Sequence, residues 1–176
     1  GAMTTQEPIP VSRKPGSVGI VATQVARIAL PRAGFALENG RSLPQLDVAY
    51  ETYGTLAPAR DNVVLICHAL SGNAHVAGLH DEPDAKPGWW DEMVGPGKGI
   101  DTDHFHVICP NILGGCKGTT GPSSIDPATG KPYGSQFPSI SIGDIVTVQR
   151  LLLKHLDIER VAGVIGGSLG GMQVLE

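Results

Sequence analysis

The pentapeptide Gly166-Gly167-Ser168-Leu169-Gly170 holds the residues best suited to covalent chemistry. It fits G-x-S-x-G, in which a serine sits at the tip of a strained strand-to-helix turn and its hydroxyl projects over the end of a sheet. Glycines two before and two after the serine are needed because a Cβ at either place would meet the neighbouring strand or helix. Gly167 and Gly171 clear the turn further. The same bend aims the first helical N–H groups at the serine, where they can bind a developing oxyanion. Ser168 is therefore the candidate nucleophile, and the N–H of Leu169 a candidate oxyanion donor. The competing reading is a glycine-rich turn with an incidental serine. The apolar strand before the turn and the apolar helical start after it favour the nucleophile. No lysine follows the glycines as in a P-loop, and G-x-G-x-x-G with its later acidic residue is not matched.

A serine so placed needs a sheet behind it. Residues 161–166 read as a short strand, apolar on both faces and so central in its sheet. Residues 63–67, Val-Val-Leu-Ile-Cys, form an unbroken apolar run typical of a strand covered on both faces. That run leads into His68-Ala69-Leu70-Ser71-Gly72-Asn73-Ala74-His75, a polar loop where ligands bind in open α/β sheets. The N–H of Leu70 is the candidate second oxyanion donor. His68 is read as a loop histidine hydrogen-bonded to backbone, because its sequence position is wrong for a base in this arrangement.

The remaining elements follow from pattern. Residues 24–30 and 46–53 read as an antiparallel pair, the second alternating more cleanly. Residues 58–62 form a turn, and 105–109 another strand. Ser141-Ile142-Gly143-Asp144 resembles a capping box, opening a helix over about 142–156. That helix places Ile145, Val148, Leu152 and Leu156 on one face, with Arg150 and Lys154 outward. Strands alternating with a helix argue for a mostly parallel α/β sheet.

Two long segments have no regular pattern. Residues 76–105 carry Trp89-Trp90, which either wall a pocket or anchor a loop in the core. Asp101-Thr102-Asp103 before His104 reads as a solvated turn, since no metal-ligand spacing supports more. Residues 111–134 are too long and too rich in Gly, Ser and Thr for simple packing, and read as an active-site wall. Within them Lys117 is read as a solvated lysine and Cys116 as a thiol without an activating base.

Size and composition exclude several function classes. The 176 residues suit one domain: a flexible arm over 1–20, then an α/β core over 21–176. Gly1-Ala2-Met3 reads as a cleavage scar ahead of a native start at Met3. A net charge of −4 gives no electrostatic case for nucleic acid or an anionic membrane. Neither a bilayer-spanning run nor a signal peptide is evident. Cys67, Cys109 and Cys116 are odd in number and lack zinc spacing, so buried reduced thiols and a cytoplasmic location are expected.

Three stretches, taken in order, identify a family. They are His68 to His75, then Asn111-Ile112-Leu113-Gly114-Gly115-Cys116 with Gly118-Thr119-Thr120-Gly121-Pro122, then Gly166-Gly167-Ser168-Leu169-Gly170-Gly171-Met172-Gln173. The chain resembles the homoserine O-acetyltransferases of the α/β-hydrolase fold over about residues 25–176. The resemblance implies acetyl transfer from acetyl-CoA to L-homoserine, a step toward methionine, by a ping-pong acyl-serine mechanism. It implies that Gly72, Asn73, Ala74 and His75 bear on which acyl donor or acceptor is used. It also implies a homodimer in the full-length protein, no cofactor beyond acetyl-CoA as substrate, and no metal. Alternatives are homoserine O-succinyltransferase, serine O-acetyltransferase or a serine esterase of the same fold, and a non-catalytic fragment. The fold orders its triad Ser, then Asp or Glu, then His. Only eight residues follow Ser168, and His68, His75, His80, His104, His106 and His155 all precede it. The expectation is an incomplete, N-terminal part of the core domain that is inactive alone.

Overall fold

The computed structural model describes residues 16–68, 73–115 and 118–166. In chain order its strands are β1 (Gln24–Arg27), β2 (Phe35–Ala36), β3 (Ser42–Leu43), β4 (Asp47–Tyr53), β5 (Val63–Cys67), β6 (Val94–Gly95), β7 (Ile100–Asp101), β8 (His106–Pro110), β9 (Ile125–Asp126), β10 (Lys131–Pro132) and β11 (Gly163–Gly166). Helix α1 (Ile142–His155) precedes β11. Five strands form one sheet in the order β1-β4-β8-β5-β11.

β5 lies parallel to both β8 and β11, whereas β4 runs antiparallel to β1 and β8. The described sheet is thus mixed rather than mostly parallel. The local alternation of strands with helices reports the parallel pairs, while the antiparallel half comes from β1 and β4, which no helix separates.

The period of two in a strand splits the core into two faces. Val63, Leu65 and Cys67 of β5 join Val48, Tyr50 and Ile108 under Ile145, Val148 and Leu152 of α1. Val64 and Ile66 face the other way, with Tyr53, Val107, Cys109, Val76, Val94 and Ile100. All five residues of β5 are buried, as its apolar run requires.

β4 departs from its expected alternation. Val48, Ala49, Tyr50, Glu51 and Tyr53 are all buried, because β4 is an interior strand with both faces covered. β11, read as central in the complete sheet, begins at Gly163 and lies at the edge of the described sheet, with Val164 37% exposed. Among the described residues its only ladder is the one to β5.

The capping box forms as expected. Asp144 N donates to Ser141 Oγ and Ser141 N donates to Asp144 Oδ2, both at 3.0 Å. Val146 and Gln149 are buried with the expected apolar face, whereas Leu156 is the C-cap and half-buried.

Residues 73–105 cover the face opposite α1. Two glycines let this segment pack backbone on backbone. A Cβ on Gly88 would lie 2.1 Å from the carbonyl carbon of Val76. Gly78 has φ +73°, and a Cβ there would lie 2.4 Å from Gly19 O. Residues 16–20, expected in a flexible arm, are tied down: Leu79 N donates to Gly19 O, and Val21 N to Leu79 O. Among the described residues no helix is long and apolar enough to cross a membrane.

Candidate active site

The carboxyl ends of β5, β8 and β11 lie side by side, the position at which open α/β sheets bind ligands. Gly166 stands opposite Cys67 in the β11–β5 register, and Val164 opposite Leu65. Gly166 is also the first residue of G-x-S-x-G, so the motif and the stretch that follows His68 begin in sequence at neighbouring strand ends. Ser168, Leu169, Leu70 and Gly72 lie outside the described residues, as do Cys116 and Lys117.

Two side chains join the neighbouring strand ends. His68, buried, has Nε2 3.1 Å from Asn111 Oδ1. That oxygen also accepts from Ile112 N at 3.1 Å, which fixes it as an acceptor and makes His68 Nε2 the donor. His68 thus has a side-chain partner in Asn111. Asn111 is itself held by Thr119, whose hydroxyl donates to its carbonyl at 3.1 Å.

Thr119 and Thr120 of the 111–134 segment serve β4. Thr119 Oγ1 accepts from Ala49 N at 2.9 Å, and Thr120 Oγ1 from Asp47 N at 2.8 Å. Among the described residues of this segment, Asn111 lines a cavity of about 560 Å³, and Thr120, Ser123, Ser124, Ile125 and Tyr133 line another with Arg27 and Asp47.

An apolar cavity of about 220 Å³ opens at these ends, lined by Ile66, Cys67, His68, Trp89, Trp90, Ile165 and Gly166. The two indoles stack with centroids 5.8 Å apart and planes 9° apart. Both alternatives for the tryptophans are realised: both rings line the cavity, and Trp90 also packs against the core. Trp89 is 44% exposed and its Nε1 donates to Asn73 O at 2.8 Å. Cys67, in the same wall, keeps its proton: burial pushes the thiol up to about 11, slightly offset by the Gln149 amide. Cys109 is likewise pushed well up by burial, so neither is a nucleophile at neutral pH.

Of the four expected specificity residues, three are described. Asn73 is half-buried, its Oδ1 accepting from His75 N at 2.8 Å. Ala74 is buried, and its carbonyl lies 3.0 Å from the Tyr53 hydroxyl. His75 turns away from the apolar cavity, its Nδ1 2.8 Å from Glu51 Oε1. Its ring lines the cavity of about 560 Å³, together with Thr23, Glu51, His80, Lys86 and Asn111.

Glu51 is the polar residue that sequence reading passed over. It sits mid-strand in β4, fully buried. Burial pushes its carboxyl up, but donors from His75, His80 and Thr23 outweigh this and hold it at about 2. Burial lowers His75, yet Glu51 reverses this and leaves the imidazole above its ordinary range. The signal was present: a lone glutamate between valine, alanine and tyrosines in a strand needs partners if buried.

A model of the alpha/beta hydrolase fold matches residues 62–176. The homoserine O-succinyltransferase of Magnetococcus marinus is 57% identical over 172 residues, covering 98% of this chain and 42% of that protein. The homoserine O-acetyltransferase of Methanococcoides burtonii is 54% identical over 160 residues, covering 91% and 32%. Among solved structures, the homoserine O-acetyltransferase from Bacillus anthracis superposes with a TM-score of 0.80 at 40% identity, over 89% of this chain and 42% of that one. Esterase E22 superposes with 0.78 at 44% identity, over 88% and 42%. The chain spans less than half the length of these relatives. A parallel strand delivering G-x-S-x-G beside a second loop at a neighbouring strand end, over the matched residues, places the chain in the α/β-hydrolase fold family.

Proposed function

We propose that the protein carrying this chain transfers an acetyl group from acetyl-CoA to the hydroxyl of L-homoserine. The observation that supports it most is the register of Gly166 opposite Cys67. Leu169 and Leu70 each follow by three residues, so the two oxyanion donors set out from adjacent strand ends. Close relatives named for this reaction supply the substrates of the proposal.

In the proposed mechanism Ser168 Oγ attacks the thioester carbon and its proton passes to a histidine base. The N–H groups of Leu169 and Leu70 stabilise the oxyanion, the C–S bond breaks, and CoA leaves with the proton. The homoserine hydroxyl then gives its proton to the base and attacks the acyl-serine carbon, the C–O bond to Ser168 breaks, and Ser168 Oγ takes the proton from the base. By resemblance the base and its carboxylate partner follow Ser168 in the longer protein. This assigns no catalytic role to His68 or His75 and leaves the 176-residue chain inactive alone. The apolar cavity beside Trp89 and Trp90 is the proposed seat of the acyl methyl group. A homodimeric, cytoplasmic enzyme of methionine synthesis is part of the same reading.

Succinyl transfer is the second reading, favoured by the 57% identical relative of that name. Steady-state assays of the longer protein with acetyl-CoA and succinyl-CoA, with and without homoserine, separate the cases. Homoserine-dependent CoA release from acetyl-CoA is expected. Equal release without homoserine would replace the proposal with an esterase.

A further inference from the structure

Outside the apolar cavity, three side chains from distant parts of the chain converge on one point. Glu51 Oε1 and Oε2 lie 2.8 Å from His75 Nδ1 and His80 Nε2 respectively. One ligand atom from each residue lies within 4.8 Å of the others. We propose that Glu51, His75 and His80 form a binding site for a divalent transition cation of the zinc class, clamping residues 73–80 onto β4.

Three observations carry this beyond a chance cluster. The first is the state of His75. Its Nε2 lies 3.3 Å from Lys86 O, a carbonyl that only accepts, so that nitrogen bears a proton. A ring lone pair on Nδ1 then points at a carboxylate oxygen 2.8 Å away, which requires a positive species between them. Either a second proton or a metal ion supplies it. A metal-bound histidine donating its other N–H to a backbone carbonyl is the usual outer-shell arrangement.

The second is the support of the carboxylate. Thr23 Oγ1 donates to Oε2 at 2.9 Å, as a ligating carboxylate is held by neighbouring donors. The Tyr53 hydroxyl lies 3.0 Å from both Glu51 Oε1 and Ala74 O, one proton for two acceptors. A cation on Glu51 frees that proton for Ala74.

The third is access. The cluster lines the cavity of about 560 Å³, whose mouth carries Glu82 and Asp84 as well as Lys86. Water from this space fills the open coordination positions. Two imidazoles and one carboxylate are a known zinc donor set, with bonds of about 2.0–2.2 Å. Tetrahedral ligands of zinc lie about 3.4 Å apart, so the bonded pairs open by about half an ångström while the wider separations, within 4.8 Å, close by up to about 1.4 Å. The rings of His75 and His80 already stack at 3.8 Å with a 32° tilt. Glu51 is 24 and 29 residues from the two histidines, so no sequence spacing links the carboxylate to them.

The test is metal binding by the chain itself, with activity playing no part. Protein stripped with chelator is titrated with zinc, with cobalt(II) as a spectroscopic probe, and its bound metal is measured by mass spectrometry. About one zinc per chain and the visible band of a four-coordinate cobalt site are expected. His80→Ala is the informative variant, since His80 is partly exposed and Glu51 keeps Thr23, Tyr53 and His75. It should weaken zinc binding by about 10-fold to 100-fold while leaving circular dichroism unchanged. His75→Ala with His80→Ala should abolish the cobalt band. No metal uptake by the wild type, or equal affinity in His80→Ala, would overturn the proposal and leave the reading of the active site standing.

Discussion

Gly166 and Cys67 face each other across the parallel pairing of β11 with β5, at the point where both strands end. Leu169 and Leu70, the proposed oxyanion donors, each follow this pair by three residues in sequence. Ser168, between them in role, should carry the chemistry. In the longer protein Ser168→Ala should lower kcat by about 10⁴-fold or more, with circular dichroism and melting temperature unchanged. Retention of acyl transfer, or of a burst of CoA stoichiometric with enzyme, would remove the nucleophile from the mechanism.

Trp89 ties the tryptophan wall to the segment after the 68–72 loop through its bond to Asn73 O. Trp89→Phe keeps a ring in the stack and removes only the donor. The exposed carbonyl can turn to water, so a loss of about 1 kcal/mol is expected in denaturant unfolding. Trp89→Ala also removes the wall, and should raise KM for the acyl donor more than Trp89→Phe does.

Cys67 makes stability depend on alkaline pH. Its ordinary value is 9.0 and burial raises it to about 11. Above pH 9 the unfolded chain loses this proton while the folded chain keeps it. Stability is therefore level below pH 9 and falls as pH climbs toward 11, by about 2–3 kcal/mol at most from this group. Cys67→Ala should make the alkaline limb shallower in urea titrations between pH 8 and 11. The share from Cys109, raised in the same direction, remains. At pH 8 the native thiols should resist iodoacetamide until denaturant is added.

The Asp144 carboxylate holds two backbone amides at once. Its Oδ2 accepts from Ser141 N and its Oδ1 from Glu38 N, 106 residues away in sequence, each at 3.0 Å. Ser141→Ala removes one cap acceptor and should cost about 1 kcal/mol. Asp144→Ala leaves two amide donors without their carboxylate and should cost more, about 2–3 kcal/mol. Equal losses in the two variants, measured by urea unfolding, would show that the Glu38 contact contributes nothing.

What the sequence settled by itself is local or periodic. An unbroken apolar run specified β5 because five such side chains can be buried only with both faces covered. Ser141 and Asp144 specified the start of α1 because the cap is made within four residues. The glycine spacing around Ser168 named the candidate chemistry because a tight turn restricts its own neighbours. Tertiary structure decided the rest. β4 alternates in composition yet is buried throughout, since neighbours on both sides and layers on both faces are not encoded in its seven residues. Glu51, His75 and His80 meet only because residues 73–105 fold back over the sheet, and a contact between such separated residues leaves no spacing to read.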